Sequence, residues 1–183
     1  MINMDGFIIS HAVEDMELID DDKVKNFIGE YNPDKKLLDA DDPLTVGPLD
    51  LQDFYFEHKR QQSEAITNVS DVLLDVADEF EKISGREYGL FEEYKTDDAD
   101  VIVVALGSTT GTAKQAVDNM RDNGIKAGLL KIRLYRPFPA EEIAGVLEDA
   151  EAVAVMDRAD TFSTTGGPLY ADIKSALFDK GAD

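Results

Sequence analysis

Ser108, Thr109, Thr110 and Thr112 place four hydroxyls within five residues, with Gly107 ahead of them and Gly111 among them. The run Val101 to Leu106 before this turn is continuously apolar, and the segment behind it has helical period. Backbone N–H groups left free at a helix start, the positive end of the helix dipole and several hydroxyl donors together suit an anion. Gly107, Ser108, Thr110, Gly111 and Thr112 are therefore the candidate anion-binding residues, with phosphate as the chemical class. The same residues are equally suited to capping the helix and letting it pack close to a sheet. A second polar stretch, Thr161 to Pro168, also precedes a helical segment and is open to the same two readings. Asp157-Arg158 reads as a local ion pair or as a contact with a partner. The two histidines, His11 and His58, stand at no spacing that suggests metal ligation or a catalytic pair.

Elements that would position these residues follow from the apolar pattern. Val101–Leu106, Leu129–Leu134 and Ala152–Met156 have the length and continuity of parallel strands covered on both faces. Between and after them, three stripes of helical spacing appear: Ala113, Ala116, Val117 and Met120; Ile143, Val146 and Leu147 behind Pro139; and Leu169, Ile173, Ala176 and Leu177 behind Pro168. Three strand-then-helix units predict an α/β fold, a three-layer domain with a parallel sheet between helices. In such a sheet the turns after Gly107 and around Gly166 leave from the carboxyl ends of strands, where ligands bind.

Upstream, Ile66, Val69, Leu73, Val76, Phe80 and Ile83 step by threes and fours, which predicts one helix over 63–84, capped by Ser63 and stopped at Gly85. Its seam packs either in its own domain or at a subunit interface. Phe7-Ile8-Ile9 reads as a strand that begins nearly at Met1, and Asp39 to Pro48 as an extended linker.

Composition sets limits on function. The 183 residues carry a net charge of −21, with 27 acids against 9 bases in residues 1–100 and 12 against 9 thereafter. Such a surface repels phosphate backbones, so nucleic acid is not an expected partner. Cysteine is absent, which excludes disulfides, thiolate nucleophiles and iron–sulfur clusters ligated within the chain. No run reaches the length of a membrane span and no signal peptide opens the chain, so a cytoplasmic location is expected, without membrane partners.

Two resemblances bear on these residues. The Gly107–Thr112 turn resembles the phosphate loop of flavodoxins, which makes an FMN-binding electron carrier the alternative reading. Only about 70 residues follow the loop, room for two more strands where a flavodoxin needs more, and no tryptophan is present to stack on a flavin. The second resemblance spans the chain. Met4-Asp5-Gly6-Phe7-Ile8-Ile9-Ser10-His11, Asp41-Asp42-Pro43-Leu44-Thr45-Val46-Gly47 and Leu134-Tyr135-Arg136-Pro137-Phe138-Pro139 are similar to the alpha subunits of pyruvate:ferredoxin oxidoreductases.

That resemblance implies a hetero-oligomeric enzyme of anaerobic metabolism. It decarboxylates pyruvate on thiamine diphosphate with Mg, passes electrons through iron–sulfur clusters to ferredoxin, and forms acetyl-CoA, or runs in reverse. Residues 1–55 would be the exit segment of a thiamine pyrimidine-binding domain, and 56–183 a domain like the carboxyl-terminal domain of transketolases. The catalytic residues of the family have no counterpart here, so no catalytic or metal residue is assigned and the chain alone is not expected to bind cofactor or to be active. It would be a fragment with a structural and interface role beside beta, gamma and delta subunits, meeting ferredoxin and coenzyme A only through the complex.

Overall fold

The computed structural model describes residues 2–6, 8–44, 46–47, 49–162 and 165–181. Phe7, Thr45, Ser163 and Thr164, used in the sequence reading, lie outside the described residues. The chain divides into two compact units: Met16–Glu87, and a second made of Met1–Asp15 with Tyr88–Asp183.

The second unit is the α/β domain that the alternating pattern predicts. Its elements are β1 (Phe91–Tyr94), β2 (Val101–Leu106), α4 (Thr109–Asp122), β3 (Ala127–Ile132), α5 (Ala140–Leu147), β4 (Ala152–Val155) and α6 (Pro168–Lys180). The sheet order is β1-β3-β2-β4. β2 pairs parallel with both β3 and β4, with Val103 opposite Leu129 and Val104 opposite Val155. β1 adds an antiparallel edge, Glu92 opposite Lys131.

Alternation along the strands sorts the core into two halves. Ile102, Val104, Leu130 and Ile132 face one side and pack with Ile143, Leu147, Leu169 and Ile173 of α5 and α6. Ala105, Ala127 and Leu129 face the other and pack with Val117 of α4. Ala116, read as part of the α4 stripe, is exposed.

Three differences from the sequence reading have physical causes. β3 begins two residues early because Gly128 allows a close crossing: a Cβ there would stand 2.7 Å from the Lys95 carbonyl oxygen. β1 was not anticipated, because Glu92 and Glu93 interrupt its apolar character. Phe91 and Tyr94 nonetheless reach opposite faces of the sheet. Ile8 and Ile9 form no strand; the N–H groups of His11 and Ala12 bond back to the Ile8 carbonyl at 3.1 and 2.8 Å, which makes a turn.

The unit Met16–Glu87 contains α1 (Asp21–Ile28), α2 (Tyr55–Thr67) and α3 (Val69–Ser84). α1 was not read from sequence; the Asp20 carboxylate accepts from the Asp22 N–H at 3.0 Å and opens it. The single helix expected over 63–84 is two helices. α2 starts far ahead of Ser63, out of a turn in which Phe54 and Tyr55 N–H bond the Leu51 carbonyl at 3.1 and 3.0 Å. It ends where the Thr67 hydroxyl donates back to the Ser63 carbonyl at 3.1 Å and Asn68 leaves helical hydrogen bonding. Gly85 stops α3 as expected, left-handed at φ 67 with its N–H on the Glu81 carbonyl at 2.7 Å. On α3 the buried position is Ala77, while Val76 of the expected seam is exposed. Phe27 of α1 meets Phe80 of α3 edge to face, centroids 5.9 Å apart. Asp39 to Gly47 has neither helix nor strand among its described residues, in keeping with a linker.

Leu130 is fully buried in the central strand pair. Leu130→Ala is expected to cost about 2–5 kcal/mol in a denaturant titration. Val72→Ala, on the exposed side of α3, is expected to stay within about 0.5 kcal/mol.

Candidate functional site

β2 and β4 are parallel neighbours whose chains leave in opposite directions: β2 continues into α4 on one face of the sheet, β4 into α6 on the other. Such a parting of exits leaves a crevice at the carboxyl ends of two adjacent strands, the usual ligand position in open α/β sheets. The two polar turns singled out in the sequence follow these neighbouring strands, but the depression on the β4 side has no residue of 107–112 in its lining.

On the β2 side, Gly107 adopts φ 76, a conformation that glycine takes without strain. The Thr110 hydroxyl donates to the Gly107 carbonyl at 2.8 Å and its side chain is buried. The N–H groups of Thr110 and Gly111 bond to Gly107 and Ser108 carbonyls at 3.3 and 3.1 Å. Three of the donors that made this turn a candidate anion loop thus close the turn itself. Ser108 is half-buried, and Gly111 and Thr112 are exposed. A Cβ on Gly107 would lie 3.7 Å from that of Asp5, so a carboxylate-bearing segment stands beside the turn.

On the β4 side, an open depression of about 540 Å³ is lined by residues including Asp157, Arg158, Asp160, Gly166 and Tyr170. The Asp157 carboxylate accepts from the N–H groups of Leu169 and Tyr170 at 3.2 and 2.9 Å. It therefore supplies, from another segment, the cap that Gly167 cannot give to α6. Those helix-start donors already hold an anion, one that belongs to the chain. A Cβ on Gly167 would overlap the same carboxylate, which explains the glycine.

Two polar clusters escaped the sequence reading because their members lie far apart in the chain. Glu92 on β1 is paired with Lys114 of α4, with Lys131 at 3.4 Å and with Arg133 at 3.6 Å. The hydrogen bond from Lys114 holds the Glu92 carboxyl below its ordinary value, against an opposing push from partial burial and with help from Lys131. Tyr94 and Lys95 both bond Asp118 of α4, at 2.8 and 2.5 Å. These contacts fasten the antiparallel edge strand. In the Leu134–Pro139 stretch, Arg136 reaches Asp172 of α6 at 2.9 Å and lies 4.2 Å over the Tyr135 ring. Burial, then a hydrogen bond with Asp172, raises the Tyr135 hydroxyl above its usual pKa.

His58 pairs with Asp50 at 2.9 Å and stacks on Phe54. Among the described residues no group of three His, Cys, Asp or Glu stands together as a metal site. No described residue before Ala77 is buried. No described helix is long and apolar enough to cross a membrane.

Two family models match the chain in succession. Residues 1–78 match "Pyruvate flavodoxin/ferredoxin oxidoreductase, thiamine diP-bdg", and residues 99–183 match "Pyruvate:ferredoxin oxidoreductase core domain II". A pyruvate synthase subunit PorA from Thermotoga maritima is 50% identical over 182 residues, 100% of this chain and 46% of that protein. Its namesake from Methanothermobacter thermautotrophicus is 40% identical over 180 residues, 98% of this chain and 46% of that protein. The chain spans about half the length of these curated relatives. The solved alpha chain of a probable 2-oxoacid ferredoxin oxidoreductase from Thermoplasma acidophilum is 27% identical, covering 41% of this chain and 63% of that one at a TM-score of 0.23. The family models and the two PorA relatives agree with the oxidoreductase resemblance and give the flavodoxin-like alternative no support.

Asp157→Ala is expected to cost about 1 kcal/mol of stability through the lost cap. Gly167→Ala is expected to cost at least as much, and the double variant less than the two together, because removing the carboxylate removes the overlap; denaturant titrations of the four proteins measure this. A second set of titrations concerns pH. Because the folded pKa of Glu92 is lowered, its contribution is present above the ordinary value of 4.5 and is lost as pH falls through the folded value. The stability difference between wild type and Glu92→Gln is therefore expected to shrink steadily below about pH 4.5.

Proposed function

The chain belongs to the pyruvate:ferredoxin oxidoreductase family, and from that membership we propose that it serves as part of the alpha subunit of a pyruvate synthase. The reaction of the whole complex would be oxidative decarboxylation of pyruvate to acetyl-CoA with ferredoxin as electron acceptor, in either direction. The observation that carries this reading is the match of two consecutive family models together with 50% identity over the full chain to a pyruvate synthase subunit.

Within that complex the chain acts as scaffold and interface. Thiamine diphosphate with its Mg would be held with residues from outside this chain, and iron–sulfur clusters by cysteines of other subunits, since this sequence has none. Beta, gamma and delta subunits are the partners, ferredoxin and coenzyme A are met through them, and the cytoplasm is the location. Residues 1–55 form the exit segment of the pyrimidine-binding domain and 56–183 the scaffold domain. The turn with Gly107, Ser108, Thr110, Gly111 and Thr112 closes on itself ahead of α4 in this account, without a side-chain cap. The bonds of the Thr110 hydroxyl and of the Thr110 and Gly111 N–H groups to the Gly107 and Ser108 carbonyls support that structural role over phosphate binding.

The test is reconstitution. Purified chain, its absorbance spectrum recorded, is mixed with purified beta, gamma and delta subunits of a related pyruvate synthase and passed over a sizing column. Colourless chain is expected to co-elute in fixed stoichiometry. Elution apart from every subunit, or a flavin spectrum on the chain alone, would sink the proposal.

A further inference from the structure

Residues 37–57 hold six carboxylates and no Lys or Arg, with apolar residues set between the acids from Leu37 to Phe56. At the end of this stretch Leu49, Leu51, Phe54, Tyr55 and Phe56 are exposed by 85%, 55%, 64%, 51% and 75%. Single exposed apolar residues are ordinary, but three consecutive aromatics with two leucines just ahead form a patch of the kind that marks an interaction surface. The chain does not lack the means to bury such groups, since Ile102, Leu129 and Leu130 are removed from water almost entirely. Within Met16–Glu87, by contrast, Ala77 is the one buried position among the described residues, and α2 buries none.

The patch is ordered in advance of any contact. The Leu51 carbonyl accepts from both Phe54 and Tyr55 N–H, His58 bonds Asp50, and the Phe54 ring stacks on His58 at 6.5 Å. A turn closed by four such contacts presents its aromatic rings at a small entropic cost, which favours binding. Charge decides the occupant. A second copy would bring a net charge of −21 and the same acid-rich stretch, in which Asp42 meets Lys35 and Asp50 meets His58 but Asp53 and Glu57 stay exposed, to the contact, and like charges set against each other oppose association. A different polypeptide with Lys and Arg around an apolar groove fits both features.

We infer that the turn Leu49–Phe56 at the start of α2 is the docking surface for another subunit of the complex, whose apolar groove is rimmed by basic side chains. The inference rests on the pyruvate synthase reading and adds to it the surface and the chemistry of the contact.

Purified beta, gamma and delta subunits are immobilised separately and the full chain is applied as wild type, as Phe54→Ala with Phe56→Ala, and as Asp53→Asn with Glu57→Gln. The substituted side chains are exposed, so unchanged melting curves are expected to show that the variants fold. One subunit should capture wild type, with at least about a tenfold loss for the aromatic pair and a weaker salt dependence for the charge pair. Equal capture of wild type and the aromatic variant would overturn the inference while leaving the subunit reading intact. Capture of wild type by no subunit would fell both. Self-association of wild type on a sizing column that the aromatic substitutions abolish would make the occupant a second copy and overturn the inference as stated.

Discussion

β2 and β3 are apolar toward both faces of the sheet, and this double burial is the constraint on which the α/β domain depends. Ile102, Val104 and Leu130 need cover on one side; Ala105, Ala127 and Leu129 need it on the other. One crossover helix cannot serve both. With α4 on one face, α5 and α6 must take the opposite one, and the chain must pass from β3 across β2 to lay down β4 on its far side. The crevice at the carboxyl ends of β2 and β4 is a by-product of that requirement. It exists whether or not a ligand uses it, so its position alone assigns no chemistry.

What the chain does with that position is satisfy its own groups. Helix starts are ready anion sites, and the α6 start is taken by Asp157 from across the β4 exit. At the α4 start the Thr110 hydroxyl and two backbone N–H groups turn inward onto Gly107 and Ser108. Basic residues are few, and those near the sheet are spent in the same manner. Lys114, Lys131 and Arg133 converge on Glu92, Lys95 goes to Asp118, and Arg121 bonds Asp98 together with the carbonyls of Ala127 and Lys95. Partly exposed pairs of this kind add little stability each. Their service is to locate β1 and the Lys95–Ala99 turn against the sheet, where apolar contact alone would leave them loosely placed.

The sequence displayed those parts of the fold in which one physical rule acts alone. Val101–Leu106 is a buried parallel strand by continuity, and the stripes of α5 and α6 are helical by period. Rules in competition hid the rest. Gly128 argues against a strand until the close approach of Lys95 is known, and Glu92 and Glu93 argue against β1 until their cations are in place. Between α2 and α3 the apolar spacing continues unbroken through Asn68 while the backbone does not, because Thr67 and Asn68 divert hydrogen bonds that the period cannot register. The turn at Gly107 was legible as a place where a site could be; that its hydroxyl at Thr110 faces inward is a torsional fact no spacing reveals. Asp157 was legible only as a charge, since its partners lie twelve and thirteen residues away.

The two compact units stand in different energetic regimes. Fixing a residue costs about 1–2 kcal/mol of backbone entropy, and the α/β domain answers with strands and helices whose apolar faces are almost fully removed from water. Met16–Glu87 has one described buried residue, and its local devices, the Asp20 cap, the Arg60–Glu64 pair and the Gly85 stop, contribute on the order of 1 kcal/mol or less each. Such contributions fix individual helices and turns, without the shared apolar burial that holds the α/β domain. Its many carboxylates limit non-specific collapse of the exposed apolar residues.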